Sequence, residues 1–258
     1  MASSGRLNLG ESLGYELVTI VVGKEKRKFA VHKQLICESV AYFRGAFSAA
    51  GFKESQDCSM DMPEDEPGVF EYFLHWLYRG TVPEAKTLAD FDQLLDVYIF
   101  AEKLCVNELA SKAIDAIQAI SKSDDFDKFP DCTMKHADTI WKSTSPTSPL
   151  RKWCIHALVY GAWDFEASKE KKMKKKKAFL LDMAELGTLW ELFKDHRDLY
   201  VSFFAQVQKH SVENPPEFQF EEENWDDCYF HRHSEGEVCH LTASEVEKSE
   251  DSEDEVEN

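Results

Sequence analysis

A helix with both ends marked is spelled out between Pro67 and Gly80. Proline lacks an amide hydrogen and suits a first helical position, while glycine adopts the left-handed conformation that ends a helix. Between them Val69, Phe70, Phe73, Leu74 and Leu77 recur at helical spacing and make one apolar stripe, with Asp65 or Glu66 available as a cap. A stripe carrying two phenylalanines must be covered, which sets what the neighbouring sequence has to supply.

On its N-terminal side the pattern is first a strand, then a helix. Leu17, Thr19 and Val21 alternate with Val18, Ile20 and Val22 up to Gly23, which reads as a strand buried on both faces or nearly so. A polar turn over 24–27 leads into an alternating segment over 28–33, with Phe29 and Val31 on one face, completing a hairpin. After His32 the apolar period changes from two to about 3.6. Leu35, Ile36, Tyr42, Phe43, Ala46 and Phe47 share helical faces across a break near Ser39, and Gly51 ends that helix pair. Residues 58–62 alternate again as a short strand before the turn over 63–67. Beyond Gly80, Asp90 is expected to cap a helix whose Leu94, Val97, Tyr98, Ala101 and Leu104 face inward. Asn107 is expected to cap the next, with Leu109, Ala113, Ile114 and Ile117 inward. The outcome is an α+β domain of short strands wrapped by helical hairpins over 16–120, behind a flexible N-terminus over 1–15. The polar stretch 121–130 marks its boundary.

Residues 131–210 read as a helical C-terminal region. Met134, Ala137, Ile140 and Trp141 indicate one helix, a Ser/Thr/Pro loop covers 143–149, and Leu150, Trp153, Cys154, Ala157 and Leu158 indicate another. After a charged segment over 169–177 come Phe179, Leu180, Met183, Leu186, Leu189, Trp190, Phe193, Leu199, Phe203, Phe204 and Val207. These are too apolar to be left in water and are expected to pack as a helical subdomain. From 211 to 258 the Pro215-Pro216 pair and the acidity predict a largely disordered tail. The last 38 residues hold 15 Asp/Glu against 2 Lys/Arg, so they carry −13 of the −18 formal charge. Such a surface repels nucleic-acid phosphate.

The ordered passages of the first domain resemble a BTB/POZ domain. The resemblance rests on Val18 to Gly23, on Phe29-Ala30-Val31-His32-Lys33-Gln34-Leu35-Ile36, on Tyr42-Phe43, and on the Pro67 to Gly80 helix, all in the family's order and spacing. Trp76, Tyr78 and the Ser148-Pro149-Leu150-Arg151 passage resemble the large group of such proteins in filamentous fungi. Val40-Ala41 stands where Ser-Pro is common, and Glu16 where an Asp often opens the first strand. The family resemblance implies a non-enzymatic protein–protein interaction module. In many members it implies recruitment of a cullin scaffold, as a substrate adaptor of a ubiquitin ligase. Homodimerisation is a family property too, but the longer forms use an extra N-terminal strand and helix that 15 residues can hardly provide. Cullin binders often carry a hydrophobic-x-Glu element after the second helical hairpin, and Phe52-Lys53-Glu54 stands there. Phe52 reads either as a partner anchor or as a plug closing the helix end against the core.

Other constellations carry weaker chemistry. Cys228, His231, His233 and Cys239 offer thiolate and imidazole, the donors zinc favours, within twelve residues; the alternative is a solvated polar tail. Two histidines one residue apart point to opposite faces of a strand, so a shared ion requires a turn, which Gly236 permits. The 169–177 cluster, with Lys174, Lys175, Lys176 and Lys177, reads as an import signal or as a solvated loop. Together with the zinc segment it supports an alternative function, a nuclear regulator contacting nucleic acid or chromatin partners. Ser244, Ser249 and Ser252 each precede Glu and suit acid-directed kinases. Motifs for nucleophilic, phosphate-cradling, dinucleotide or zinc-protease chemistry are missing, so no catalytic residue and no cofactor other than zinc is expected. His32 is read as a structural hydrogen-bonding group. Seven scattered cysteines fit reduced thiols, and no apolar run reaches the roughly 18 residues of a membrane span. An intracellular chain, cytoplasmic or nuclear and without membrane contact, is the expectation.

Overall fold

Three short strands organise the first half of the chain. In the computed structural model, which describes residues 13–48, 52–84, 87–121, 129–166, 175–179, 183–210 and 228–242, β1 (Leu17–Val22) lies between β2 (Arg27–His32) and β3 (Ser59–Met62). β1 pairs antiparallel with β2, Ile20 facing Phe29, and parallel with β3, Ile20 facing Met60. Val18, Ile20 and Val22 are buried, whereas Thr19 and Val21 are only half-covered and Leu17 is exposed. The expected burial of both faces is thus corrected: the helices' apolar stripes meet one face of this small sheet.

The chain divides into two compact units, Met1–Ile117 and Gln118–Asn258. In the first, α1 (Lys33–Ser39) and α2 (Ala41–Ser48) are separated at Val40, whose extended backbone makes the expected break. A five-residue α3 (Lys53–Asp57), which the sequence reading did not separate, ends at Cys58 with φ +48°, and β3 starts there. α4 (Pro67–Arg79) starts at its proline, and Gly80, with φ +69°, closes it by donating its amide to Trp76 O at 2.7 Å. Gly23, at φ +77°, ends β1 where an added Cβ would lie 3.1 Å from the Pro67 ring, so a side chain there would press on the first turn of α4.

The α4 stripe is covered by aromatics from three other elements. Phe73 lies 5.9 Å from Phe43, 5.3 Å from Phe70 and 5.7 Å from Phe100, ring centre to ring centre, and Phe70 meets Phe29 at 5.0 Å. Phe43, Phe70 and Phe73 are fully buried, each contributing about 1.5 to 3 kcal/mol of transfer free energy. α5 (Leu88–Lys103) is capped by Thr87, whose hydroxyl accepts from the Asp90 amide at 3.3 Å while the Asp90 carboxylate accepts from the Thr87 amide at 2.8 Å. Asp90 is therefore the reciprocal partner in a capping box and not the cap. Asn107 is likewise the first residue of α6 (Asn107–Ser121), since the Ala110 amide already bonds Val106 O.

His32 joins the strand layer to this helix. Its amide donates to Tyr78 Oη at 3.2 Å, and its ring Nδ1 lies 2.8 Å from the same oxygen, within hydrogen-bond distance. The hydrogen bond expected of this histidine is thus made to Tyr78.

In the second unit, α7 (Phe129–Ser143) packs on α8 (Pro149–Gly161), which packs on α10 (Arg197–Val207); α9 (Met183–Asp195) meets α7 and α10. Arg151 ties three of these together. Its Nη2 donates to Trp141 O at 2.5 Å and Thr144 O at 2.6 Å, Nε to Thr144 Oγ1 at 3.1 Å, and Nη1 to Asp198 Oδ2 at 2.9 Å. Strands β4 (Trp163–Glu166) and β5 (Lys175–Phe179) form an antiparallel ribbon that interrupts the helical region the sequence predicts. On α9 and α10, Leu189, Leu199 and Phe203 are buried, but Leu186, Trp190, Tyr200, Val201 and Phe204 are exposed. The expectation that this whole run is buried is corrected: two helices of about three turns each cannot turn every face inward. Among the described residues no helix is long and apolar enough to cross a membrane.

Two substitutions test these joints. Tyr78→Phe removes the oxygen shared by the His32 amide and ring and is expected to lower unfolding free energy by about 1 kcal/mol in urea denaturation, with an unchanged m-value. Arg151→Lys keeps the charge but not the planar fork, and should cost about 2 to 3 kcal/mol in the same measurement.

Candidate docking site and candidate metal centre

Phe52 stands at the N-cap of α3 in an extended conformation, φ −77° and ψ 144°, and its carbonyl accepts from the Gln56 amide at 3.3 Å. Its ring is 57% exposed, Lys53 is exposed, and Glu54 is half-buried in the first turn. Phe52 therefore does not close the helix end against the core. The arrangement leaves an aromatic ring, a cation and a carboxylate on one short surface element, which a partner could desolvate at its centre and meet with charge at its rim.

A cleft of about 1040 Å³ opens elsewhere in the first unit, lined by Glu16, Lys33, Gln34, Cys37, Glu38, Arg44 and their neighbours. Its one thiol is unsuited to attack: burial pushes Cys37 up from its usual value, against the lowering effect of Lys33, and its Sγ lies 3.7 Å from Phe43 O.

In the second unit the structure brings the four zinc-type donors together. One donor atom each from Cys228, His231, His233 and Cys239 lies within 4.8 Å of every other. The His231 amide bonds Cys228 O at 2.9 Å, so these two residues bracket one turn. Residues 231–234 are not a strand, and the His231 and His233 rings, 5.7 Å apart, share one side of the chain. Gly236, at φ +80°, reverses the chain, and a bond from the Glu237 amide to Ser234 O at 3.0 Å holds the reversal. Cys239 is thereby returned with its Sγ 3.4 Å from His231 Nδ1. Burial raises the Cys239 thiol, but the Leu241 amide, His231 and Cys228 outweigh it, and the net effect is a lowered value.

This segment is seated on α8. Phe230 is buried, the Tyr229 ring lies under Lys152 with Nζ 3.0 Å from its centre, and the same ammonium donates to Tyr229 O at 2.9 Å. His156, one helical turn on, lies 3.3 Å from Tyr229 Oη and edge-on to Phe230. Arg232 donates to Thr147 O at 3.0 Å. Sequence reasoning missed Lys152, His156, Tyr229 and Arg232. The usable signal was Tyr229-Phe230, an adjacent aromatic pair inside an otherwise acidic run, and a Lys and a His four residues apart on α8.

Of the import-signal lysines, Lys175, Lys176 and Lys177 fall in β5, with Lys175 opposite Glu166 in the ladder. Lys174, the rest of that cluster from 169, and Ser244, Ser249 and Ser252 lie outside the described residues, as do 1–12, 211–227 and 243–258 of the two terminal segments.

The family model described as BTB/POZ domain matches residues 16–121. Among solved structures, the chain is similar to the BTB domain of human gigaxonin, at 14% identity and a TM-score of 0.31, over 38% of this chain and 74% of that one. It is also similar to the BTB domain of zebrafish PATZ1, at 18% identity and a TM-score of 0.31, over 40% and 75%. No curated protein matches the chain.

His156 supplies a pH test of the seat on α8. Burial first, then the positive charges of Lys152, Lys209 and His210, lower it from 6.5 to about 4. A lowered histidine makes the unfolded chain the better proton binder between those values. Its contribution to stability is therefore complete above pH 6.5 and is lost as pH falls towards 4. Between pH 7.5 and 5 the parent is expected to lose on the order of 1 to 2 kcal/mol more than His156→Gln, read as the difference between their urea midpoints.

Proposed function

Starting from a chain whose residues 16–121 are a BTB/POZ domain, a protein–protein interaction module, we propose that it is a non-enzymatic adaptor joining a client to a cullin scaffold of a ubiquitin ligase. The observation that carries this reading is the exposure of Phe52 at the head of α3, with Lys53 and Glu54 beside it. Isolated exposed aromatics are ordinary on protein surfaces. This one occupies the hydrophobic-x-Glu position associated with cullin binding, on a helix fixed by the left-handed turn at Cys58 and by β3 behind it. In this role the ring supplies the desolvated anchor and the Glu54 carboxylate sets the register against a basic partner.

Two further features agree with work in the cytoplasm or nucleus. The cysteines described, Cys37, Cys58, Cys105, Cys154, Cys228 and Cys239, are not joined in disulfides, which agrees with a reducing compartment. Those of them that are exposed, Cys58 and Cys105, would be liabilities in an oxidising one. The second unit, with exposed Trp190, Tyr200 and Phe204, is the part available to hold a client.

The test is a pull-down of the full chain with purified cullin scaffolds, followed by measurement of the dissociation constant. Phe52→Ala and Glu54→Lys are each expected to weaken binding roughly tenfold or more, while unfolding free energy stays within about 0.5 kcal/mol because neither side chain is core. Undiminished binding by both variants, or no cullin bound by the parent chain, would remove the adaptor reading.

A further inference from the structure

We propose that Cys228, His231, His233 and Cys239 form a closed, structural zinc site that clamps the 228–242 segment onto α8. This is independent of the cullin reading, since its residues lie in the other unit.

The geometry argues for it first. Zinc bound by two thiolates at about 2.3 Å and two imidazoles at about 2.0 to 2.1 Å has tetrahedral edges of about 3.3 to 3.8 Å. The Cys239 Sγ to His231 Nδ1 separation is 3.4 Å, already one such edge, and all four donors lie within 4.8 Å of one another. Closing the tetrahedron requires side-chain shifts of about an ångström, within the reach of rotamer adjustment. Two sulfur and two nitrogen donors select zinc over magnesium or calcium, which take oxygen. With four protein ligands no coordination position is left for water or substrate, so the role is structural. Binding removes the thiol protons of both cysteines, which leave as two protons to solvent for each ion bound.

The surroundings argue for it second. A metal knuckle with no support would have to order its own loop. Here the loop is ordered by other means: Phe230 buried, Tyr229 under Lys152, Arg232 on Thr147, and a reversal at Gly236 closed by bonds between Ser234 and Glu237. The left-handed glycine and the Ser234–Glu237 turn have one evident consequence, the return of Cys239 to the histidines. Cys239 is buried although its segment is strongly acidic in composition. The His240 ring is stacked on that of His231, their centres 5.2 Å apart.

The experiment uses the full chain, purified without chelator from cells grown with zinc. Elemental analysis is expected to give about one zinc per chain, and cobalt(II) exchanged into the site should show the intense visible bands of tetrahedral thiolate coordination. Cys228→Ser with Cys239→Ser should abolish both signals. His233→Gln, at an exposed position where folding is not at risk, should weaken metal affinity by roughly tenfold or more. Cys58→Ser with Cys105→Ser, the exposed thiols of the first unit, should keep one zinc and the cobalt spectrum. Chelation should make the 228–242 segment newly cleavable by protease. A folded parent that carries no zinc and gives no cobalt bands overturns the proposal. So does full zinc content in the Cys228→Ser, Cys239→Ser chain, or a Cys228–Cys239 disulfide found in protein taken from a reducing cytosol.

Discussion

The aromatic contact between α4 and its neighbours is what the first unit depends on. Phe73 touches Phe43 of α2, Phe100 of α5, and Phe70 and Trp76 of its own helix, so a single side chain is shared by three helices. Phe70 extends the cluster to Phe29 of β2 and so to the sheet. Tilted and edge-on rings at these distances add to the burial term and also fix orientation, because the edges and faces of neighbouring rings attract. Once α4 is placed this way, Tyr78 reaches His32 and Pro67 abuts Gly23, while Phe52 stays exposed at the head of α3.

The second unit is held by a different kind of contact. Arg151 delivers its guanidinium to the last carbonyls of α7 and to Asp198 at the start of α10, where it meets the negative end of one helix and an acid at the positive end of another. Trp141 lies beneath that guanidinium and donates its own indole N–H to the same carboxylate. The Ser148-Pro149-Leu150-Arg151 passage thus has a physical content beyond its resemblance. Serine ends the loop, proline opens α8, leucine enters the core and arginine closes the end of α7.

Elements bounded by chemistry were legible. Pro67 and Gly80 delimit α4, and the change of period at His32 marks the passage from β2 to α1, because proline, left-handed glycine and side-chain spacing act locally. Features decided by partners distant in sequence were not. The ribbon of β4 and β5 is lysine-rich on one strand, and its reason to form is the pairing itself, which composition does not announce. Capping of α5 was off by three residues because Thr87 and Asp90 are both good caps, and the reciprocal bond between them decides which residue precedes the helix. At the docking site the triplet was readable and the direction of Phe52 was not, since burial is set by contacts with residues distant in sequence. At the metal cluster the donor types were readable, while the turn that gathers them rests on contacts with Lys152 and Thr147 about 80 residues earlier.

The acidity of the C-terminal segment has a bearing on both surfaces. Thirteen net negative charges in the last 38 residues raise the local concentration of cations, and that helps any divalent ion arrive without choosing among them. Choice comes from the soft sulfur and imidazole donors, which the carboxylates around them cannot match for zinc. The same field opposes phosphate, so a nucleic-acid partner would have to be met by the lysines before it. A basic protein partner suffers no such penalty. Charge therefore favours a polypeptide over a nucleic acid as what this chain engages, and it does so without reference to the fold.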